Sequence, residues 1–407
     1  MPYDTLIDKY KALVVGPQTT PGTYEAPTTA TGGILLEDIR VNMNPQRIES
    51  NENTGTPDQG ETEVTHFEPE ITGSFKLRGS GDVTVKPHGA DLLESGGISI
   101  ATKAVLPSSS TFAAQAGGTT SSCTVDRSAG NGSQLPSTSA GCADLVGRPA
   151  IVAGNPVDPV LTVIESCTLA GTNVTFVFAH VFGSALDAST TLLLPAGQQL
   201  DPLADLSATP VKSADVYQNG IRRKFKDCRT ILSFAVDGAA HCIVSAAIKA
   251  NFEGWDDTAV PTDMDLAGKP NAAKWRDGRA RLAKIALAAT SFELNPQTAD
   301  ARHRAPEESQ GLADPTLTGR NVTARLVVNK VKKATQDRLA MILANTKFAV
   351  VLLLDKGAPV GTRFVLILPK GKATGITDEN FQGILDDGLE LQAVRESPLP
   401  TWRGFMF

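Results

Sequence analysis

Two stretches of this 407-residue chain align without a gap, and that self-similarity constrains the fold more than any other feature. Ile34–Gly60 reads ILLEDIRVNMNPQRIESNENTGTPDQG, and Ile285–Gly311, 251 positions on, reads IALAATSFELNPQTADARHRAPEESQG. Asn44-Pro45-Gln46 falls on Asn295-Pro296-Gln297, Gln59-Gly60 on Gln310-Gly311, and Met43 on the apolar Leu294. Beyond Gly60 the register slips by five, so that Thr72-Gly73 meets Thr318-Gly319 and Asp91 and Leu93 meet Asp337 and Leu339. A repeat this long predicts two copies of one folding unit in tandem.

Such a length accommodates two or three domains. The chain is 41% hydrophobic but only 5% aromatic, and its Thr, Val, Gly and Pro content favours a mainly β protein. A formal charge of −6 argues against a surface that reads nucleic acid, while suiting one that lets DNA slide past. None of the five cysteines stands in a C-x-x-C pair, so buried thiols are expected; Cys123 and Cys142 form the one local pair worth testing. No run of 18 apolar residues and no signal-peptide core is present, which points to cytoplasmic synthesis and no membrane partner.

Residues 1–33, polar and punctuated by Pro17, Pro21 and Pro27, read as an extended arm. The first unit takes in 34–101 and 211–254. Its strand Ile34–Met43 leads into a long acidic excursion, Arg47–Glu70, then to strands at Ile71–Leu77 and Val83–Val85 and a short helix over Pro87–Ser95. Region 102–210 changes character. A Ser/Thr/Gly-rich stretch precedes strands at Arg148–Val152, Val160–Ser166, Asn173–Phe178 and Thr191–Leu194, the pattern of an inserted outer β domain. Arg229–Val236 and His241–Phe252, joined at Asp237-Gly238, read as a hairpin closing the first unit. After a 255–271 linker the second unit fills 272–407. It has strands at Ile285–Leu294 and Val322–Val328, a helix Val331–Leu343, doubly buried strands Phe348–Leu354 and Arg363–Leu368, and a last strand near Gly388–Val394.

Chemistry is sparse. The five histidines show no zinc spacing, and no phosphate-binding loop, dinucleotide fingerprint or nucleophile elbow occurs. His241 and Cys242 are adjacent, so on a strand they face opposite ways. Neither a catalytic residue, a metal site nor a cofactor is expected. The basic run Arg222-Arg223-Lys224 reads as a subunit-interface candidate, meeting acid from a neighbour.

A β unit with a long polar loop, one short helix and a closing hairpin resembles the tail tube proteins of long-tailed, siphovirus-like phages. The likeness rests on Thr20-Pro21-Gly22-Thr23, Ile34–Leu77, the helix Ala90–Ser95, the Arg229–Phe252 hairpin with its Phe252-Glu253-Gly254 exit, and the matching Ile285–Val328 and Val331–Leu343. It implies two tail-tube-like sandwich or barrel units and rings that stack into a conduit for DNA ejection. A duplicated chain would supply two of six units, so three chains make a pseudo-hexamer. The implied partners are the protein itself, tape-measure, tail-terminator and distal tail proteins, and DNA in transit, all in the virion tail. The family's ring-to-ring loop falls on Arg47–Glu70 and Thr298–Thr316. Its candidate contacts are Arg47, Glu49, Glu52, Asp58, Glu61 and Glu63 in the acidic loop, and Arg302, His303, Arg304, Glu307 and Glu308 in the other. The competing reading is a β-rich virion adhesin or other tail protein, with 102–210 as its contact region.

Overall fold

The computed structural model describes residues 11–49, 62–154, 157–238, 240–264, 270–275, 279–303, 305, 313–354, 361–381 and 383–407. The molecule is mainly β, with a large, nearly closed barrel-like sheet and a separate six-stranded sheet. The chain begins with β1 (Lys11–Pro17), a single turn α1 (Thr29–Gly32), β2 (Gly33–Ile34), β3 (Glu37–Asn42), β4 (Pro45–Glu49), β5 (Thr62–Phe67), β6 (Glu70–Lys76), α2 (Ala90–Ser95) and β7 (Ile98–Lys103). It then leaves the large sheet for β8 (Phe112–Ala113), β9 (Ser122–Asp126), α3 (Ser139–Leu145), β10 (Pro149–Gly154), β11 (Val157–Ala170), β12 (Asn173–Phe178) and β13 (Thr191–Leu193). It re-enters with β14 (Gly197–Pro202), β15 (Lys212–Gln218), β16 (Ile221–Asp237) and β17 (Cys242–Asp256). There follow β18 (Arg279–Leu282), β19 (Ile285–Leu287), β20 (Ala289–Asn295), β21 (Thr298–Ala301), β22 (Thr316–Arg320), β23 (Thr323–Asn329), α4 (Arg338–Leu343), β24 (Lys347–Leu354), β25 (Phe364–Phe381), β26 (Ile384–Ala393) and β27 (Arg403–Met406).

One antiparallel ladder runs β3–β6–β17–β16–β20–β23–β26–β25. Alternation decides which face is covered. Leu232, Phe234 and Val236 of β16, Val244, Ala246 and Ile248 of β17, and Leu326 and Val328 of β23 all point into one core. Their neighbours Arg325, Glu379 and Glu390 lie on the other face and pair among themselves. β24 is buried on both sides, as its unbroken apolar run predicts: Val350 and Leu352 enter the main core, while Val351 and Leu353 face the inserted module.

The module has its own core of Phe112, Val125, Leu145, Val152, Phe176 and Phe178, with Cys123 and Cys142 inside it. All five thiols are free. The Cys142 thiol has Cys167 as its neighbour, within hydrogen-bonding reach, rather than standing as an isolated local pair with Cys123. Leu161, Val163 and Ala179 pack against Val365, Ile367, Phe405 and Phe407 of the barrel. Arg403 reinforces that junction: its guanidinium is bound to Asp201 (2.6 and 2.9 Å) and donates to the carbonyls of Ala143 (3.2 Å), Asp144 (2.8 Å) and Val146 at the end of α3.

Several expectations are corrected. From Lys11 the arm is a core strand: Leu13, Val14 and Val15 are fully buried and β1 pairs with β15 and β2. Gln18 then bonds the Asp227 carboxylate (2.6 Å) and the Tyr24 hydroxyl donates to Asp215 (2.7 Å), so this polar segment satisfies buried acids. Ile34–Met43 is split between β2 and β3, and Ile285–Leu294 between β19 and β20. Val83–Val85 is a turn, since Asp82 accepts from the Thr84 amide at 2.8 Å and closes a local loop. The second helix is only Arg338–Leu343; Asp337 caps it by accepting from the Ala340 amide, which sets its start. β14 returns to the large sheet well before Val211, pairing with β7 and β27. β27 was not expected at all.

Candidate assembly surface

Two hairpins stand apart from the large sheet as separate two-stranded ladders, β4 with β5 and β21 with β22. Each is entered by the same turn. Asn42 Oδ1 accepts from the Asn44 amide (3.2 Å), and Asn44 takes a left-handed φ of 44°. Asn295 Oδ1 accepts from the Gln297 amide (2.8 Å), and Gln297 has a φ of 45°. Asn tolerates and organises such turns. The turns therefore correspond 253 positions apart, rather than at the 251 at which the letters Asn-Pro-Gln coincide.

That spacing holds through the flanking ladder. Asn42 opposes Glu70, and Asn295 opposes Thr323; Arg40 opposes Thr72, and Glu293 opposes Arg325. Both ladders carry an irregularity just before this point, between Glu37 and Arg40 and between Ala289 and Ser291. The strand after each hairpin, β6 or β23, is seven residues long and leads to a matching bond: the Leu77 amide donates to Cys242 O, and the Lys330 amide to Leu385 O. Hence Thr72-Gly73 lies in the large sheet on β6 while Thr318-Gly319 lies on the hairpin strand β22; the five-residue slip between them is not followed by the backbone.

The residues expected in the loops are only partly within the described structure. Arg47 is exposed on β4, and Glu49 and Glu63 lie on the backbones of β4 and β5. Glu52, Asp58, Glu61, Arg304, Glu307 and Glu308 lie outside the described residues. His303 is exposed, whereas Arg302 is turned inward and donates to Ala250 O of β17 at 3.1 Å. Burial pulls its pKa below the ordinary value, with Asp300 and Glu68 opposing the shift.

Two cations of the basic run on β16, Arg222 and Lys224, are paired within the chain. Arg222 forks onto Asp256 (3.0 Å from Nε) and reaches Asp215 at 3.8 Å, while Lys224 bonds Asp256 at 2.8 Å. Hydrogen bonds from Arg222 and Lys224 hold Asp256 well below the usual carboxylate range. Arg223 is half-buried, opposite the exposed Trp255.

What the sequence did not flag is the state of the two end strands. Among the described residues, β3 pairs only with β6 over Arg40–Asn42, and the Asp378–Phe381 end of β25 pairs only with β26. Both present one unpaired edge, and unpaired edges are templates for further strands. Arg40 is exposed at the first edge, Asp378 at the second.

Two larger hollows accompany these surfaces. One, about 490 Å³, lies among Asp201, Leu203, Arg320, Arg395, Leu399 and Arg403. The other, about 450 Å³, is bounded by Gly33, Val85, His88 and Asp91, where the Leu35 amide bonds His88 Nε2 at 3.1 Å. Ser80, which also lines the second, donates to the Asp82 carbonyl (2.5 Å) and the Val85 carbonyl (3.0 Å). His180, pushed down to about 4 by burial and by Arg281 and Arg279, lies instead where the module meets the barrel, stacked edge-on against Phe182. No protein-family model matches the chain, and a search of curated proteins finds no significant match.

Proposed function

We propose that the chain is two copies of one β unit and a structural subunit that polymerises through its sheet edges into stacked rings, three chains to a ring, forming the tail tube of a long-tailed phage. The observation that carries this reading is the order of the central ladder. The first four strands, β3–β6–β17–β16, and the next four, β20–β23–β26–β25, repeat the same sequence of partners, and β16 joins β20 directly. An arrangement that already adds unit to unit by edge pairing extends by the same contact to further chains, and closure removes the exposed edges. On this reading Arg47 on β4 and His303, two residues beyond β21, serve contacts between rings.

Negative-stain electron microscopy of the purified full chain tests the proposal. Rings about a central channel, stacked into tubes, are expected; a monomer that never assembles at high protein concentration overturns it.

A further inference from the structure

The junction between β16 and β20 is defined by four directly opposed pairs. Along β16 and β20, Phe234 opposes Leu294, Ala235 opposes Glu293, Val236 opposes Phe292 and Asp237 opposes Ser291. β25 stands to β26 as β16 stands to β17. Ile243 pairs with Ala235 and with Lys76, and Asp386 pairs with Glu379 and with Asn329, so Glu379 holds the place of Ala235. Arg40 holds the place of Glu293, through the shared pairing to Thr72 and Arg325. Resting on the assembly reading, we infer that Asp378 and Glu379 of β25 pair antiparallel with Val41 and Arg40 of β3 in a second copy, with Glu379 directly opposite Arg40; the register is defined no further, because β3 is irregular between Glu37 and Arg40.

The chemistry of this seam differs from that of its internal counterpart. Where the inner junction sets Phe234 against Leu294, the outer sets Asp378 against Val41. Where the inner sets Ala235 against Glu293, the outer sets Glu379 against Arg40. The covalent junction needs no recognition, whereas the seam between chains carries an opposite-charge cross-strand pair that fixes register and partner. A second contrast points to the same missing neighbour. Cys242 is buried beneath the 270–275 segment, its amide bonded to Ala273 O, while the equivalent Leu385 is 61% exposed, with Ile384 beside it at 61%. In the proposed seam the docking copy supplies the neighbour that Leu385 lacks. Lys11 bonds Ile39 O at 3.2 Å and guards the edge until then.

Cysteine pairing in the full chain tests this. Directly opposed strand residues lie within disulfide reach. Arg40→Cys with Glu379→Cys is expected to give covalent dimers and trimers on non-reducing gels. Arg40→Cys with Asp378→Cys, whose side chains face opposite ways, is expected to give at least tenfold less. Ala235→Cys with Glu293→Cys should close within one chain and shows that the conditions oxidise such a pair. If that internal bond forms and the first pair stays monomeric, the inference is overturned. Microscopy of the unmodified chain separates the two levels: tubes without cross-linking retain the tube and reject this seam, and cross-linked oligomers without tubes do the reverse. In otherwise native protein, Arg40→Glu opposes two carboxylates and should weaken association about tenfold; unchanged association also counts against the pairing.

Discussion

Replacing Arg403 by methionine removes the group that ties β27 to the inserted module while keeping most of its volume. The side chain is 5% exposed, so its charge is compensated by neighbours rather than by water. Two of its bonds go to Asp201 and three to carbonyls closing α3. Without it, Asp201 keeps Gln199 (2.7 Å) but loses its counter-charge, and the helix-end carbonyls lose their donor. Removing one partner of a buried pair costs about 3–5 kcal/mol, chiefly through the polar groups left behind. We expect Arg403→Met to lose about that much in urea denaturation, and hydrogen exchange to rise first at Val146–Arg148, where α3 ends. Arg403→Lys retains the charge but not the fork and should lose about 1–2 kcal/mol. A loss below about 1 kcal/mol for the methionine variant would refute the view that this arginine fastens module to barrel.

Lys212, 5% exposed, bonds Asp91 (2.6 Å) and Glu94 (3.0 Å). Burial alone would raise the Glu94 pKa, but the bonds from Lys86 and Lys212 outweigh it and hold it below its usual 4.5. That stabilisation is present above the unfolded value and is lost as pH falls through the lowered one. Lys212→Met should therefore cost about 3–5 kcal/mol at pH 7, and progressively less as the pH is lowered below 4.5, read from urea melts across that range. A Cβ on Gly79 would lie 1.7 Å from Gly361 O, so Gly79→Ala should destabilise by about 1–3 kcal/mol in the same assay. Burial pushes the Cys123 and Cys242 thiols up to about 12, so native protein at pH 8 should resist alkylation and react only after denaturant is added, as mass spectrometry would show. Leu339 and Leu343 are 59% and 75% exposed on α4; changing both to glutamate should alter monomer stability by less than about 0.5 kcal/mol.

Unlike β8 and β9, which lie in the Ser/Thr/Gly-rich stretch, the β character, the Asp237-Gly238 hairpin, α2 and the module strands β10 to β13 were legible because period-two alternation and turn residues are local signals. β1 and β27 were not. Ala12–Val15 and Phe405–Met406 are short apolar runs beside polar or proline-rich sequence, and only their partners β15, β14 and β25 make them core. Arg403 and Lys212 escaped for a related reason: charged residues are ordinarily exposed, and nothing local reveals a distant acid. The turns show how letters mislead. Asn-Pro-Gln recurs at one spacing, but backbone conformation follows Asn42 and Asn295 at another. The open edges could not be read at all, because an edge is defined by a partner's absence.

The inserted module leaves and rejoins the barrel at neighbours, for Lys103 and Gly197 are directly paired across β7 and β14. Topologically such a port accepts any domain whose own ends lie close together, with no rearrangement of the strands behind it. The surface beneath is less permissive. Val351, Leu353, Val365, Ile367 and Phe405 would meet water if the module were excised, and Arg403 would lose its helix-end acceptors. A shortened chain therefore needs polar replacements at those five positions, and any transplanted domain must bring an apolar underside to match them. The module is thus exchangeable in connectivity and committed in surface chemistry, so variation is expected to gather on its outer side.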